Sequence, residues 1–147
     1  MAFLSAMNIS GSALTAQRMR LDIASENIAN VSTTRTESGE PYRRKMVVFE
    51  PIQQSSFQAV FNRARGQGAA QQKGVRVSQI VEDTRDFKMV YNPAHPDADE
   101  NGYVRMPNVD LLKETVDSME ATRAYDANVT AFNAIKSMAT KGLEIGK

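Results

Sequence analysis

The stretch LDIASENIANVSTTRTESGEPYRR, Leu21 to Arg44, decides how the chain is organised. It opens as helix: Leu21, Ala24, Ile28 and Val31 recur at spacings of three or four, which places them on one helical face. The helix then fails. Val31 to Thr36 is β-branched and hydroxyl-rich, and such side chains lose rotamer freedom in a helix and compete for backbone hydrogen bonds. Ser38-Gly39-Glu40-Pro41 supplies turn chemistry, and Tyr42 to Glu50 reads as strand. A long amphipathic helix therefore ends at an Asn-rich step, Asn27 and Asn30, and hands over to a β region.

Toward the N-terminus, residues 3 to about 30 predict that helix. A heptad stripe runs Leu4, Met7, Gly11, Leu14, Arg18, Leu21, Ser25, Ile28, flanked by Ala6, Ala13, Ala16 and Ala24. Small residues weaken an isolated helix but let another backbone come close. At a 1.5 Å rise per residue the helix is roughly 40 Å long. Ordering backbone costs about 1–2 kcal/mol per residue, and a buried Leu or Ile returns about 1.5–3. Leu4, Met7, Leu14, Leu21 and Ile28 are too few to hold a lone helix pair, so helix folding is expected to be coupled to assembly.

Toward the C-terminus, Lys45 to Phe49 predicts a short strand ended by Pro51, and residues 53–61 are ambiguous. Asn62 to Gly74, rich in Gly, Gln, Ala and Arg, reads as a mobile loop. Val75 to Val81 and Asp86 to Tyr91 resume strand character. Asn92 to Asp110 reads as an irregular connector containing Pro93, Pro96 and Pro107. From Val109 to Gly142 one long helix is expected, capped by Asn108 or Asp110 and stopped by Gly142 and Gly146. Its stripe runs Leu112, Val116, Met119, then shifts to Ala121, Tyr125, Asn128, Phe132, Ile135 and Ala139, as a stutter in the heptad would. The expected class is α+β, with two long antiparallel terminal helices, coiled-coil-like, carrying a small inserted β domain. The expected division is 1–35 and 108–147 helical, and 36–107 β, with the loop 62–74 and the Pro-rich connector 92–108.

Composition bounds the function. A chain of 147 residues fits one domain, and 41% hydrophobic residues, 7% aromatics and no Trp suit long helices burying one stripe better than a thick core. With no cysteine, disulfides, thiol nucleophiles and thiolate metal sites are excluded. The N-terminus lacks a basic region followed by an unbroken apolar run, so no cleavable signal peptide is expected. No run approaches the ~18 apolar residues of a membrane span, so no stable membrane insertion is expected. On composition alone the chain belongs in the cytosol. Net charge is +1, but residues 31–80 carry eight Lys/Arg against three acids, while 81–110 carry three against seven. A basic block beside an acidic one predicts complementary faces, within a subunit or between neighbours.

Few residues suggest chemistry. Asp97-Ala-Asp99-Glu-Asn101-Gly102 matches the start of a calcium loop, but the twelfth position holds Asn108 where a bidentate Glu is needed. An acidic, hydrated turn is the better reading. His95 is the only histidine, so no two-His metal site exists and it reads as a loop residue. Arg43-Arg44-Lys45 with Arg63, Arg65, Lys73 and Arg76 could bind phosphate, yet no stacking aromatics or nucleic-acid motif accompany them. Contact with a neighbouring subunit or plain solvation is preferred to nucleic acid. Phe57-Gln-Ala-Val-Phe61 fits a loose Phe-x-x-x-hydrophobic export pattern, too common here to discriminate. No cofactor, metal or catalytic residue is expected.

Three phrases carry a resemblance. Glu26-Asn27-Ile28-Ala29-Asn30-Val31-Ser32-Thr33 resembles the amino-terminal motif of bacterial flagellar rod and hook axial proteins. His95-Pro96-Asp97-Ala98-Asp99, followed by Gly102-Tyr103-Val104 and Pro107-Asn108-Val109-Asp110, is similar to a phrase of their proximal-rod members, and Ala121 to Val129 resembles the carboxy-terminal motif. The likeness covers nearly the whole chain. It implies a structural, non-enzymatic subunit of the rod that crosses the periplasm, exported uncleaved through the flagellar type III apparatus. Its partners would be copies of itself and neighbouring rod proteins. Apolar stripes would interlock between subunits to carry torque, which points to Leu4, Met7, Leu14, Leu21, Ile28, Leu112, Val116, Met119, Tyr125, Phe132 and Ile135. Arg43, Arg44 and Lys45 are the expected polar contacts.

Overall fold

The computed structural model describes residues 2–52, 57, 60, 61, 64, 65 and 74–145. In chain order these form α1 (Ala2–Ala29), β1 (Lys45–Pro51), β2 (Val75–Glu82), β3 (Lys88–Tyr91), β4 (Tyr103–Met106) and α2 (Leu111–Ile145). The α1 helix ends where the sequence places its break. The Asn30 side chain donates to the Glu26 carbonyl at 2.9 Å, beside the last backbone bond from the Asn30 amide. The α2 helix is capped by Asp110, whose Oδ1 accepts the Leu112 amide at 3.1 Å. Gly142 does not stop α2, which continues to Ile145. Positive φ, the geometry of a glycine C-cap, is found at Gly39, Gly74 and Gly102 and not at Gly142. A lone helical glycine costs only about 1 kcal/mol relative to Ala.

The two helices run antiparallel. Asn27, late in α1, donates to Glu114, early in α2, while Arg20 pairs with Asp117 and Glu120 one to two turns further along. The packed face of α2 is an unbroken heptad: Glu114, Ser118, Ala121, Tyr125, Asn128, Phe132, Ile135 and Ala139 are each buried or half-buried. This corrects the expected stutter. Leu112, Val116 and Met119 do not begin that seam; they lie on a different face, exposed. On α1 the buried positions are Ser10, Ala16, Ile23, Ala24 and Asn27, so the expected stripe is not the core. Met7, Leu14, Leu21 and Ile28 flank the buried positions half-exposed, and Leu4 is exposed. On α1 the small buried side chains let the backbones approach, and apart from Ile23 the large ones sit at the edges.

The strands form two separate antiparallel pairs rather than one sheet. In the β1–β2 pair Lys45 faces Glu82 and Pro51 faces Val75, with a bulge between Val48 and Phe49. Both strands pack on α1, and at Gly74 the chain passes so close to the helix that a Cβ would lie 2.1 Å from the Ser12 hydroxyl oxygen. That hydroxyl accepts the Val75 amide at 3.1 Å and fixes where β2 starts. In the second pair Lys88 faces Met106 and Tyr91 faces Tyr103. The connector expected to be irregular therefore contains a strand. Tyr103-Val-Arg-Met106 alternates with the period of two, and the chain reverses through 92–102 on backbone bonds from Asn92 to Gly102 and from Asp99 to Tyr103. The loop expected at 62–74 lies, except for Ala64, Arg65 and Gly74, outside the described residues.

Candidate assembly site: a buried polar junction and the faces around it

Four distant segments meet where α1 ends and α2 begins, and what they bury there is polar. Asn27, Arg44, Asp83, Asn108 and Glu114 are all buried. Asn27 has its full bonding capacity used. Its amide donates to the Lys45 carbonyl at 2.8 Å and to Glu114 Oε2 at 2.9 Å; its oxygen accepts from the Lys45 amide at 2.9 Å and from the Tyr42 hydroxyl at 3.0 Å. The other Glu114 oxygen accepts Arg44 Nε at 2.5 Å. Arg44 also lies 3.9 Å from the Asp83 carboxylate. Asn108 closes the ring: its oxygen accepts the Arg44 amide at 2.8 Å, and its amide donates to the carbonyls of Asp83 and Arg85, each at 3.1 Å.

The electrostatics follow from that wiring. The Arg85 guanidinium and backbone amide hydrogen-bond Asp83, and with the nearby Arg44 charge they pull its carboxyl down to about 2 against the cost of burial. Burial, and then the carboxylates of Glu26, Glu114 and Glu82, push the Tyr42 phenol well above its ordinary range, so it acts only as a neutral donor. Charges are paired and the polar atoms bonded, which is the condition under which a buried ionic cluster is tolerated. It holds helices and strands at one angle; it presents no open nucleophile or acid–base pair.

Of the charges expected to reach neighbours, Arg44 is turned into this junction and Lys45 pairs with Glu26 at the base of α1. Both have carboxylate partners within the subunit, although Glu114 and Glu26 lie outside the acidic block 81–110, of which Asp83 stands near Arg44, at 3.9 Å. Arg43 is half-buried, its guanidinium 4.3 Å above the Phe87 ring. Among the phrase residues, Asn27 and Asn108 are junction members, Asn30 and Asp110 close the helix ends, and Pro107 is buried between strand and helix. His95 accepts the Asp97 amide at 3.1 Å, and Asp97 accepts the Thr34 hydroxyl at 2.8 Å, which fastens the hairpin loop to the segment after α1. Gly102, at φ +78°, turns the chain where a Cβ would press on the Tyr91 ring at 3.0 Å. Ala29 and Pro96 are exposed, and the Asp99 amide bonds the Tyr103 carbonyl. No group of His, Cys, Asp and Glu among the described residues could hold a metal ion.

The apolar residues expected at subunit contacts divide into two sets. Leu112 is 75% exposed, Val116 48% and Met119 52%, in a row on the outer side of α2 beyond the junction. Tyr125, Phe132 and Ile135 lie in the seam, half-buried. Sequence reasoning missed Glu114, Asp83 and Tyr42. The signal for Glu114 was present: counting back from Ala121 by three and then four residues leads through Ser118 to Glu114 on the same face.

Comparison with known proteins separates a generic helix hairpin from a particular one. The family described as "Flagella basal body rod protein" matches residues 7–35, and "Flagellar basal body rod FlgEFG protein C-terminal" matches residues 100–145. The flagellar basal-body rod protein FlgC of Bacillus subtilis is 52% identical over 96% of both chains. The chain belongs to the FlgC family of flagellar basal-body rod proteins. The FlgC proteins of Borreliella burgdorferi, 44% identical over 99% of this chain and 98% of its own, and of Salmonella typhimurium, 42% identical over the whole of both, agree. The chain is thus a structural rod subunit of the flagellar basal body, and its relatives are named as rod proteins rather than enzymes. On this chain the first match, ending at residue 35, covers the junction's Asn27, and the second, beginning at residue 100, covers Asn108 and Glu114. No described helix is long and apolar enough to cross a membrane.

Proposed function

We propose that this chain is an axial subunit of the proximal rod, stacking helically with copies of itself and with neighbouring rod proteins so that torque passes along the shaft. The observation that carries the reading is the outward row Leu112, Val116 and Met119 on a helix whose seam is already closed by other residues. A monomer gains nothing by presenting three large apolar side chains in one row, whereas a second helix laid over them buries them. The α1 helix adds a second signal. The first charged residue of the chain is Arg18, so its first four turns have no charged outer face and suit a protein environment on several sides.

On this reading α1 and α2 act as a coiled-coil-like pair, residues 1–35 and 108–147 forming the helical unit and 36–107 the β unit outside it. Met7, Leu14, Leu21 and Ile28 at the seam edge, with Leu4, meet neighbouring helices, and Tyr125, Phe132 and Ile135 hold the pair itself. The subunit reaches the periplasm through the flagellar type III export apparatus and needs no cofactor. The test is a double substitution, Leu112→Asp with Val116→Asp. Both side chains are outside the seam, so the free subunit should keep its melting temperature and circular dichroism while basal bodies lack a completed rod. Wild-type motility in that variant would sink the reading of this face.

A further inference from the structure

The sequence contains one Asn–Gly step, Asn101-Gly102, in the loop that reverses the β3–β4 hairpin. The other asparagines are followed by Ile, Val, Arg, Pro or Ala. That neighbour matters, because an asparagine amide is lost when the next backbone nitrogen attacks its side-chain carbon. Pro has no N–H to give up, and β-branched Ile and Val crowd the approach. Gly leaves the nitrogen unshielded by any side chain. By local chemistry Asn101 is therefore the most labile amide of the chain, and its side chain is exposed.

The fold both demands the glycine and disarms it. Gly102 sits at φ +78°, and a Cβ there would lie 3.0 Å from the Tyr91 ring and 3.2 Å from Pro93, so no other residue fits without strain. Its amide donates to the Asp99 carbonyl at 2.8 Å, and the Asp99 amide donates to the Tyr103 carbonyl at 2.8 Å. No non-glycine residue described has a positive φ. These are the bonds of a type I turn over Glu100 and Asn101 with a left-handed glycine after it. The Gly102 carbonyl is taken as well, by the Asn92 amide at 2.9 Å. Gly102 is buried although Asn101 is exposed. Ring closure needs the Gly102 nitrogen free of its proton and turned onto the Asn101 Cγ. In the closed hairpin that N–H is committed to Asp99, and the peptides on both sides of Gly102 are pinned.

We propose that Asn101 is a deamidation site whose chemistry the closed hairpin blocks and an open hairpin permits. In the open form hydroxide takes the Gly102 amide proton, and the nitrogen bonds to the Asn101 Cγ. The side-chain nitrogen takes a proton from water and leaves as ammonia, which closes a succinimide. Water then opens one or the other carbonyl, giving Asp or the isoaspartyl linkage. Either product adds a negative charge beside Asp99 and Glu100. The isoaspartyl form also carries an extra backbone methylene, so the two turn bonds of Asp99 no longer close together. The inference goes beyond the rod reading and does not depend on it.

The test holds the purified subunit in mildly alkaline buffer, with and without guanidinium chloride. Mass spectrometry of its peptides follows each asparagine, and an isoaspartate-specific methyltransferase counts the rearranged product. In denaturant Asn101 should convert ahead of every other asparagine. In native buffer its conversion should be roughly tenfold slower or more, because both backbone bonds of Gly102 must first be given up. Tyr91→Ala strips the ring from Gly102 and leaves the Asn–Gly step intact; it should raise the native rate and leave the denatured rate unchanged. Conversion in denaturant led by another asparagine would overturn the site. Equal native and denatured rates, or a native rate indifferent to Tyr91→Ala, would overturn the block by the hairpin.

Discussion

Removing the Glu114 carboxylate is the most informative single perturbation of this fold. Glu114 is 1% exposed and holds Arg44 Nε at 2.5 Å and the Asn27 amide at 2.9 Å. In Glu114→Ala the guanidinium stays buried, and its nearest remaining anion, Asp83, is 3.9 Å away and already engaged by Arg85. Breaking a buried pair by deleting one partner costs about 3–5 kcal/mol. The residual Asp83 attraction places this case near the lower end, about 3 kcal/mol, with the lost Asn27 bond included. For a chain of this size each kcal/mol moves the melting temperature by about 2–4 °C, so a fall of about 6–12 °C is expected. Glu114→Gln keeps the shape and an acceptor for one of the two donors but loses the charge, and should fall between. Thermal melts of the purified subunit at neutral pH, with urea titrations checking that the slope is unchanged, measure both. If Glu114→Ala melts within about a degree of wild type, the junction does not carry the helix–strand coupling argued for it.

Three other outcomes follow from particular contacts. Gly74→Ala, which combines φ +116° with a Cβ pressed against the Ser12 hydroxyl, should cost about 1–3 kcal/mol in urea unfolding; measured against Ser12→Ala alone, which already lacks the bond to the Val75 amide, the same substitution should cost less, whereas Gly39→Ala, at φ +81° in open space, should show the backbone part alone. Asp83, held near 2 when folded and close to 4 when unfolded, contributes stability that is fully present above about pH 4 and lost as pH falls toward 2; Asp83→Asn should flatten that limb of the stability profile, and an unchanged limb would show the acid sensitivity lies elsewhere. Hydrogen exchange on the free subunit should protect the strands and the helix segments beside the junction, about 20–29 and 111–121, while 2–17 and 122–145 exchange fast; uniform protection along both helices would refute the coupling of distal helix folding to assembly.

What could be read from sequence divides along physical lines. The helix break after Asn27 was legible because β-branched and hydroxyl side chains act locally, within a turn of where they stand. The strand Tyr103–Met106 was hidden by the prolines and acids around it, although its alternation was plain once a partner strand was available. The direction of the helix faces was misread for a different reason. A hydrophobic stripe tells which side of a helix avoids water, and it does not say whether the covering surface belongs to the same subunit. In the first three turns of α2 the large apolar row is Leu112, Val116 and Met119, yet the seam inside the subunit passes through Glu114, Ser118 and Ala121. Arg44 shows the same limit for charge, since a basic triplet reads as surface until Glu114, seventy residues away, is placed beside it.

The two misreadings have one cause, and it bears on how such a subunit can work. The buried seam positions are mostly small, Ser10, Ala16, Ala24 and Ala121 beside Ile23, and the larger Tyr125, Phe132 and Ile135 are only half-buried, so apolar packing alone fixes the helices weakly along their length. Angle and register must come from elsewhere, and directional hydrogen bonds supply them better than apolar packing does, because Asn27 can fill all four of its bonds in only one arrangement of α1, β1 and α2. Further stability is left to be gained on the outside, where Leu4, Leu112, Val116 and Met119 are exposed. On the proposed rod reading that division is useful: the junction sets the shape each subunit brings, and the outward rows make completion of the helices depend on a neighbour. Moving the large side chains inward by pairing Ala24→Leu with Ala121→Leu would test the trade directly. Overpacking a seam this close should cost about 1–3 kcal/mol in the free subunit rather than stabilise it. A double variant that melted higher than wild type would mean that the small residues are not there for close approach, and that the outward placement of Leu112 and Val116 needs another explanation.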